Sequence, residues 1–137
     1  MSRVQTIRQA VEAHILNSIS GATISNDVVM LDTLSADQFP HARLLFIEEE
    51  PERLDFKQQR RRIVGEVFIA IINTTPDKEA GRETVDGYME NIRDDIHDDE
   101  TLSNLVDDIA CEASTAYSGR EDDKIYGVLD IATEELF

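Results

Sequence analysis

The spacing of apolar residues predicts two amphipathic helices, one near the start of the chain and one past its middle. The first covers residues 4–16, with Ser2 placed to cap its first turn. Its apolar side chains recur every three or four positions, which puts them on one stripe of a helix: Val4, Ile7, Val11 and Ile15. The second covers residues 83–96 and follows a helix-start signal at residues 74–77. Its stripe has the same spacing: Val85, Met89, Ile92 and Ile96.

Between these helices, alternating side chains predict three strands. The first covers residues 22–31 with a kink at Asn26 and Asp27, and the second covers residues 41–50. In the second strand, side chains point alternately to two faces: Ala42, Leu44 and Phe46 to one, and Arg43, Leu45 and Ile47 to the other. The third, residues 63–72, is apolar on both faces, so we expect a central strand that helices or a neighbouring subunit cover on both sides.

Three shorter stretches complete this part of the chain. Residues 35–39 are expected to form one helical turn that Pro40 ends. Residues 54–62 are polar and basic, which predicts a loop or a projecting arm before the third strand. Residues 98–100 are acidic and are expected to end the second helix and cap a short turn that follows it.

Two more strands are predicted after the second helix. Residues 105–117 alternate between apolar and polar side chains, as do residues 124–132, and a polar hairpin loop at residues 118–123 joins them. The element order is therefore α-β-β-β-α-β-β. We predict an α+β fold with a mixed or antiparallel sheet of about five strands and two main helices, in a single domain spanning residues 1–137.

The charge of the chain narrows the choice of partners. Acidic residues number 29 and basic residues 13, which gives a net charge of −16. Such a surface disfavours specific binding of nucleic acids, because it repels their phosphates. A channel wall through which DNA passes without being held would benefit from the same charge, and solubility alone is the plain alternative.

Compartment and membrane contact follow from the cysteine count and the apolar runs. The single Cys111 excludes an internal disulfide, which suits a reducing cytoplasm. The longest apolar run, residues 67–72, is too short to span a bilayer, and no apolar signal core precedes the first helix. We therefore expect a soluble protein that is made in the cytoplasm and has no membrane partner.

Candidate catalytic chemistry is sparse. No nucleophile motif or phosphate-binding glycine loop occurs, and Cys111 lies inside a predicted strand, where a small buried thiol is expected. The three histidines are scattered, and His14 lies beside the stripe of the first helix as a helix-face residue. These patterns predict that the chain is not an enzyme and has no catalytic, cofactor-binding or metal site.

One acidic run, residues 94–100, resembles a site. Five of its seven residues are acidic, and hard cations bind several carboxylate oxygens, so weak divalent-ion binding is one interpretation. The run lacks the spacing and the turn glycine of a calcium loop, and a solvated acidic helix end is the interpretation we favour.

One basic cluster lies just before the third strand. Arginine suits contacts with carboxylates because its planar guanidinium donates two parallel hydrogen bonds. We therefore predict a subunit interface in which a basic and an acidic cluster take part: Arg60, Arg61 and Arg62 with Glu48, Glu49 and Glu50. An exposed arm tip is the alternative for the arginines.

The chain as a whole resembles the small neck proteins of long-tailed bacteriophages, namely the tail terminator or tail completion proteins and related head–tail joining proteins. The resemblance lies in the element order and in local sequence. It includes the first helix, the Phe39–Arg43 entry into a strand that ends at Glu50, and the basic residues 60–62 ahead of the long strand. It also includes the second helix and residues 123–131, which lead into the closing strand ending at Glu135.

The resemblance implies a ring, commonly of six subunits, that caps the growing tail tube, stops its polymerisation and joins the tail to the head. The implied partners are other copies of the chain, the tail tube protein and the head connector protein, so the clusters at residues 60–62 and 48–50 could serve a tube interface as well as a subunit interface. DNA would pass through the ring without specific binding. The implied location is the neck of the virion, assembled in the host cytoplasm.

Two other classes of function stay open. An acidic protein-binding module, either regulatory or mimicking the charge of DNA, would bind a basic partner and would form no ring. A metal-dependent hydrolase would use the acidic residues 94–100.

Overall fold

A computed structural model of the chain describes residues 2–25, 35–72, 77–113, 117–118 and 124–137. Its two long helices are α1 (Arg3–Ser18) and α2 (Lys78–His97), and a single 3₁₀ turn spans Ala36–Gln38. The described strands are β1 (Thr23–Ser25), β2 (His41–Glu48), β3 (Glu52–Arg53), β4 (Gln59–Ile72), β5 (Asp108–Ala113), β6 (Tyr117–Ser118) and β7 (Lys124–Leu136). The α+β fold predicted from the sequence is confirmed, with two short strands, β3 and β6, added to the predicted order.

The strands form one mixed sheet. Its strand order is β1-β2-β4-β7-β5, with β3 beside β4 and β6 beside β7. Only the β1–β2 pair is parallel, whereas the other pairs among the described strands are antiparallel. The long strand β4 lies in the centre, as its apolar sequence predicted, and it pairs with β7 over thirteen positions from Arg60↔Leu136 to Ile72↔Lys124.

The helix α1 begins next to its predicted cap, Ser2, and α2 begins at Lys78, directly after the predicted start signal at residues 74–77 and five residues before its predicted first residue. The Ser2 side chain accepts a hydrogen bond from the backbone N–H of Gln5, whose own side chain accepts one from the Ser2 backbone. The Asp77 side chain accepts hydrogen bonds from the backbone N–H groups of Glu79 and Ala80. Some predicted features lie outside the described residues. They are residues 74–76 of the α2 start signal, residues 26–31 of the first predicted strand, Thr115, and residues 119–123 of the loop before β7.

The core lies between the helices and one face of the sheet. The predicted helical stripes lie there, with Val4 of α1 half-buried and Ile7, Val11 and Ile15 at most 1% exposed. The residues of the α2 stripe are also at most 1% exposed. From the sheet, every second residue of each long strand joins this core, for example Val67, Ile69 and Leu129.

Two strand glycines allow close approach of larger side chains. A Cβ atom on Gly127 of β7 would lie 2.5 Å from the sulfur of Met89, so glycine lets α2 pack directly on this strand. At Gly65 of β4, the ring of Phe46 occupies the place that a side chain would take. Among the described residues, no helix is long and apolar enough to cross a membrane.

Candidate subunit interface

The predicted arginine and glutamate clusters meet within one chain. The β2–β4 and β4–β7 pairings place the first residues of β4 between the last residues of β2 and the last residues of β7. Arg61 Nε lies 2.9 Å from Glu48, and Arg62 Nη1 lies 3.3 Å from Glu49. Across β7, the same two arginines approach Glu135 at 3.4 Å and Glu134 at 3.8 Å. Arg60 lies 3.5 Å from Glu52 of β3.

These ion pairs are partly exposed, and exposed pairs contribute about 0–1 kcal/mol each. They therefore orient the strand ends more than they stabilise the fold. Glu50 is exposed and follows β2. The role of these six residues in an interface between subunits or with a tube stays a prediction, because within the single chain most of them already have partners.

A β-hairpin arm projects beyond these ion pairs. The sequence predicted a loop or arm over residues 54–62, whereas in the structure β4 already begins at Gln59, so the three arginines belong to the strand and residues 54–58 form the turn. The Asp55 carboxylate accepts hydrogen bonds from the backbone N–H groups of Lys57, at 2.7 Å, and Gln58, at 2.9 Å, which orders the tip. At this ordered tip the side chain of Phe56 is 95% exposed to solvent.

Sequence reasoning missed Phe56 as a candidate functional residue. The available signal was a large apolar side chain inside a polar, basic stretch, with Leu54 two positions before it and no apolar residue three or four positions away. The Arg53 guanidinium lies 5.8 Å from the centre of the Phe56 ring, within the range of a cation–π contact. The arm therefore presents one aromatic ring and two exposed cations, Arg53 and Lys57, together.

The second face of the sheet carries a groove. It has a volume of about 510 Å³ and is lined only by residues of strands β2, β4, β5 and β7 and no helix residue. Aliphatic side chains make up much of its lining, among them Leu45, Ile47, Val64, Ala110 and Ala132. Ile47 is 65% exposed, which is unusual for an isoleucine within a strand.

A row of three carboxylates crosses the groove. Register aligns Glu66 of β4 with Asp130 of β7, and Asp130 with Glu112 of β5. Carboxylates directly opposite each other on neighbouring strands repel. Among the described residues, none of the three forms a salt bridge. The open face thus combines an apolar floor with a concentrated negative charge. The sequence predicted cover on both faces of β4, and within the described residues the helices cover only one.

The acidic residues 94–100 contact the predicted helix-face histidine. His14 lies between two carboxylates, with Nδ1 2.5 Å from Asp95 and Nε2 3.0 Å from Asp99. The backbone N–H of Ser103 donates to the Asp99 carboxylate, and this bond, followed by the contact with His14, lowers the pKa of Asp99. The acidic run thus ties α1 to the end of α2 and caps the following turn, as residues 98–100 were predicted to do.

That turn has an unusual backbone. Leu102, Ser103 and Asn104 have φ angles of 47°, 57° and 71°, a run of left-handed residues that side chains with a Cβ seldom adopt. Burial of the Leu102 side chain and the hydrogen bond from Ser103 to Asp99 hold this conformation. Among the described residues, no group of three or more His, Cys, Asp or Glu side chains is placed to hold a metal ion.

Cys111 is buried in β5, as its strand position predicted. The side chain is 2% exposed, and burial raises the pKa of its thiol to about 11. A thiol with so high a pKa carries almost no thiolate near neutral pH, so it is a poor nucleophile. The residue therefore acts as a small apolar part of the core.

No family model matches this chain, and a search of curated proteins also finds no match.

Proposed function

We propose that this chain is a structural protein of the bacteriophage neck, which assembles into a ring at the end of the tail tube. In this role it ends polymerisation of the tube and joins the tail to the head connector. The proposal rests on the resemblance described above and on one structural observation, the open sheet face. A sheet face with exposed aliphatic side chains and no helix across it is typical of a surface that another chain covers.

The charge of the chain supports the passage of DNA through such a ring. With a net charge of −16, a ring of several copies has a negative field, and DNA is repelled from its wall rather than bound. Partners in this proposal are other copies of the chain, the tail tube protein and the connector. Its location is the neck of the virion, after assembly in the cytoplasm of the host.

The test is the mass of the purified protein by light scattering, over a wide range of concentration. A mass near six subunits, or a mass that climbs toward it with concentration, supports the ring. Electron microscopy then shows whether the protein sits at the ends of tail tubes and whether its addition stops their growth. Tubes that grow to the same lengths with and without the protein contradict the capping role.

A second function is favoured by the carboxylates of the groove. Glu66, Asp130 and Glu112 on an apolar floor form a surface on which a basic protein segment would be bound by charge and by burial. An acidic regulatory module of this kind predicts a stable monomer or dimer and a complex with a basic partner. A strict monomer in light scattering, together with capture of one defined basic protein, favours this alternative over the ring.

A further inference from the structure

We propose that the hairpin arm of one copy docks into the sheet groove of the next copy, with Phe56 on the aliphatic floor and Lys57 beside the carboxylates. The arm and the groove would then be the two surfaces through which the chain associates with itself. This inference rests on the self-association part of the proposed function. It does not depend on a tail tube or on DNA.

The arm and the groove are complementary in chemistry. The groove offers an aliphatic floor and three carboxylates, whereas the arm offers an aromatic ring flanked by the side chains of Arg53 and Lys57. An aromatic anchor in an apolar groove is typical of an interface centre, and opposite charges at the rim of the contact add complementarity.

The other basic residues near the arm are already engaged. Arg60, Arg61 and Arg62 form ion pairs within the chain. Among the described residues Lys57 is in no salt bridge, so its ammonium group remains for a carboxylate elsewhere.

The arm cannot reach the groove of its own chain. Gln59, the first residue of β4, lies five positions before Val64 and seven before Glu66, so at roughly 3.3 Å per residue the arm begins about 17–23 Å away from the groove. To fold back, the arm would have to give up the pairing of Glu52 with Arg60 and of Arg53 with Gln59. A second copy is therefore the occupant that leaves the hairpin intact.

A symmetric face-to-face dimer is disfavoured by charge. It would place the Glu66–Asp130–Glu112 row of one copy against the same row of the other. An arm-to-groove contact joins different surfaces of the two copies and leaves a free arm and a free groove at the ends of each pair. Such head-to-tail contacts close into rings when the rotation between neighbours allows it.

The first experiment is cross-linking between copies. In a Cys111→Ala background, one preparation carries Gln58→Cys on the arm, which keeps Phe56 and Lys57, and another carries Ala110→Cys in the groove, both at exposed positions. A short bifunctional thiol reagent is added to the mixture. We expect cross-linked mixed dimers, and a chain that carries both cysteines should give a ladder of higher oligomers.

The matched control is a preparation with Leu16→Cys, at an exposed position of α1 outside the arm and the groove, mixed with Ala110→Cys. This pair should give at least tenfold less cross-linked dimer. Equal yields from the Gln58→Cys and Leu16→Cys preparations overturn the proposal.

The second experiment reverses charges. Lys57→Glu should weaken self-association at least tenfold in light scattering or ultracentrifugation. Lys57→Glu combined with Glu66→Lys should recover much of the loss, because the two charges again attract. Arg82→Glu, the same charge change at an exposed position of α2, should leave association unchanged. Circular dichroism checks that each variant is folded.

The outcomes separate this inference from the proposed function. Rings that form normally with Lys57→Glu, together with no cross-link between Gln58→Cys and Ala110→Cys, refute the arm contact and leave the neck role standing. Arm-dependent rings that never stop tube growth support the arm contact and refute the capping role. A chain that stays monomeric at every concentration, and gives no cross-link, overturns the arm contact.

Discussion

The two faces of the sheet have nearly the same apolar content along β4, and yet they have different surroundings. On one face Ile63, Val67 and Ile69 lie under α1 and α2 and are at most 1% exposed. On the other face Val64 and Phe68 alternate with Glu66 and lie beside an open groove. The second face is only partly open, because Ala70 and His41 at one end of it are buried, whereas the end at Val64 and Glu66 forms a groove that α1 and α2 leave uncovered. Equal apolar content in the sequence therefore does not mean equal cover in the fold.

The largest expected difference between the faces comes from truncating one large side chain on each. Leu129 on β7 is fully buried under the helices, and Leu129→Ala should lower the free energy of unfolding by about 2–5 kcal/mol. Ile47→Ala on the open face should change it by less than about 0.5 kcal/mol, because Ile47 is already 65% exposed. Urea unfolding of both variants measures this. Similar losses for the two variants would mean that the open face is covered within the chain itself.

A substitution of charge on the open face sharpens the same comparison. Phe68 packs against Tyr126, with ring centres 4.9 Å apart, and the Arg43 guanidinium lies 5.0 Å from its ring. Phe68→Asp should destabilise the fold by about 1–3 kcal/mol through loss of this cluster and should prevent assembly. Val67→Asp, one residue away on the covered face, should give no folded protein because it buries an unpaired charge. Circular dichroism measures whether each variant is folded, and light scattering measures whether it assembles.

Two glycines test how tightly α2 packs on the covered face. A Cβ on Gly127 would lie 2.5 Å from Met89 Sδ and 3.1 Å from Val85 Cγ1, so Gly127→Ala should destabilise by about 1–3 kcal/mol through overpacking. Gly87 lies in the interior of α2, where an added Cβ would meet no neighbouring atom within 4 Å, so Gly87→Ala should stabilise by up to about 1 kcal/mol. Thermal unfolding of the pair provides the measurement. A stabilising Gly127→Ala would show that α2 sits farther from β7.

A buried histidine makes stability depend on pH. His41 is 3% exposed at the start of β2, and burial lowers the pKa of its imidazole, with the charge of Arg43 acting in the same direction. The unfolded chain therefore binds this proton first, and stability should fall as the pH falls through the unfolded value of 6.5. His41→Gln should flatten the unfolding free energy between pH 7.5 and about pH 5.5 relative to the wild-type protein.

The control for this effect is His97→Gln, at an exposed position in the last turn of α2. Its unfolding free energy should follow the wild-type pH dependence. If the unfolding free energy of His41→Gln changes with pH as steeply as that of the wild-type protein, the pH dependence comes from other groups.

The covered face was the part of the molecule that the sequence predicted well. The stripes of both helices, the faces of β2 and the central position of β4 all follow from periodicity, because burial on one side requires apolar residues at a fixed spacing. The caps at Ser2 and Asp77 follow from local chemistry in the same way.

The candidate site on the open face was less predictable, because it depends on strand order and register. Glu66, Glu112 and Asp130 are up to 64 positions apart in sequence, and only the β4-β7-β5 order aligns them. The ion pairs of Arg61 and Arg62 also depend on register, since β7 had to lie beside β4 before Glu134 and Glu135 could join them. Periodicity assigns a residue to a face, whereas it does not say which strand is its neighbour.

The smallest expected effect tests whether the carboxylate row has a use outside the single chain. Asp130 lies between Glu66 and Glu112 on the open face, and Asp130→Asn removes the central charge with little change in shape. Relief of cross-strand repulsion should raise the free energy of unfolding by about 0.2–1 kcal/mol. The same variant should weaken self-association, because the arm cations lose one partner. Urea unfolding measures the stability of the variant, and light scattering of the same sample measures its assembly. Higher stability together with weaker assembly would mean that a second copy neutralises the repulsion within the carboxylate row. The control is Asp94→Asn, at an exposed position of α2, and it should change neither the stability nor the self-association. Asp107→Asn is unsuitable as a control, because the Asp107 carboxylate accepts a hydrogen bond from the Leu136 backbone.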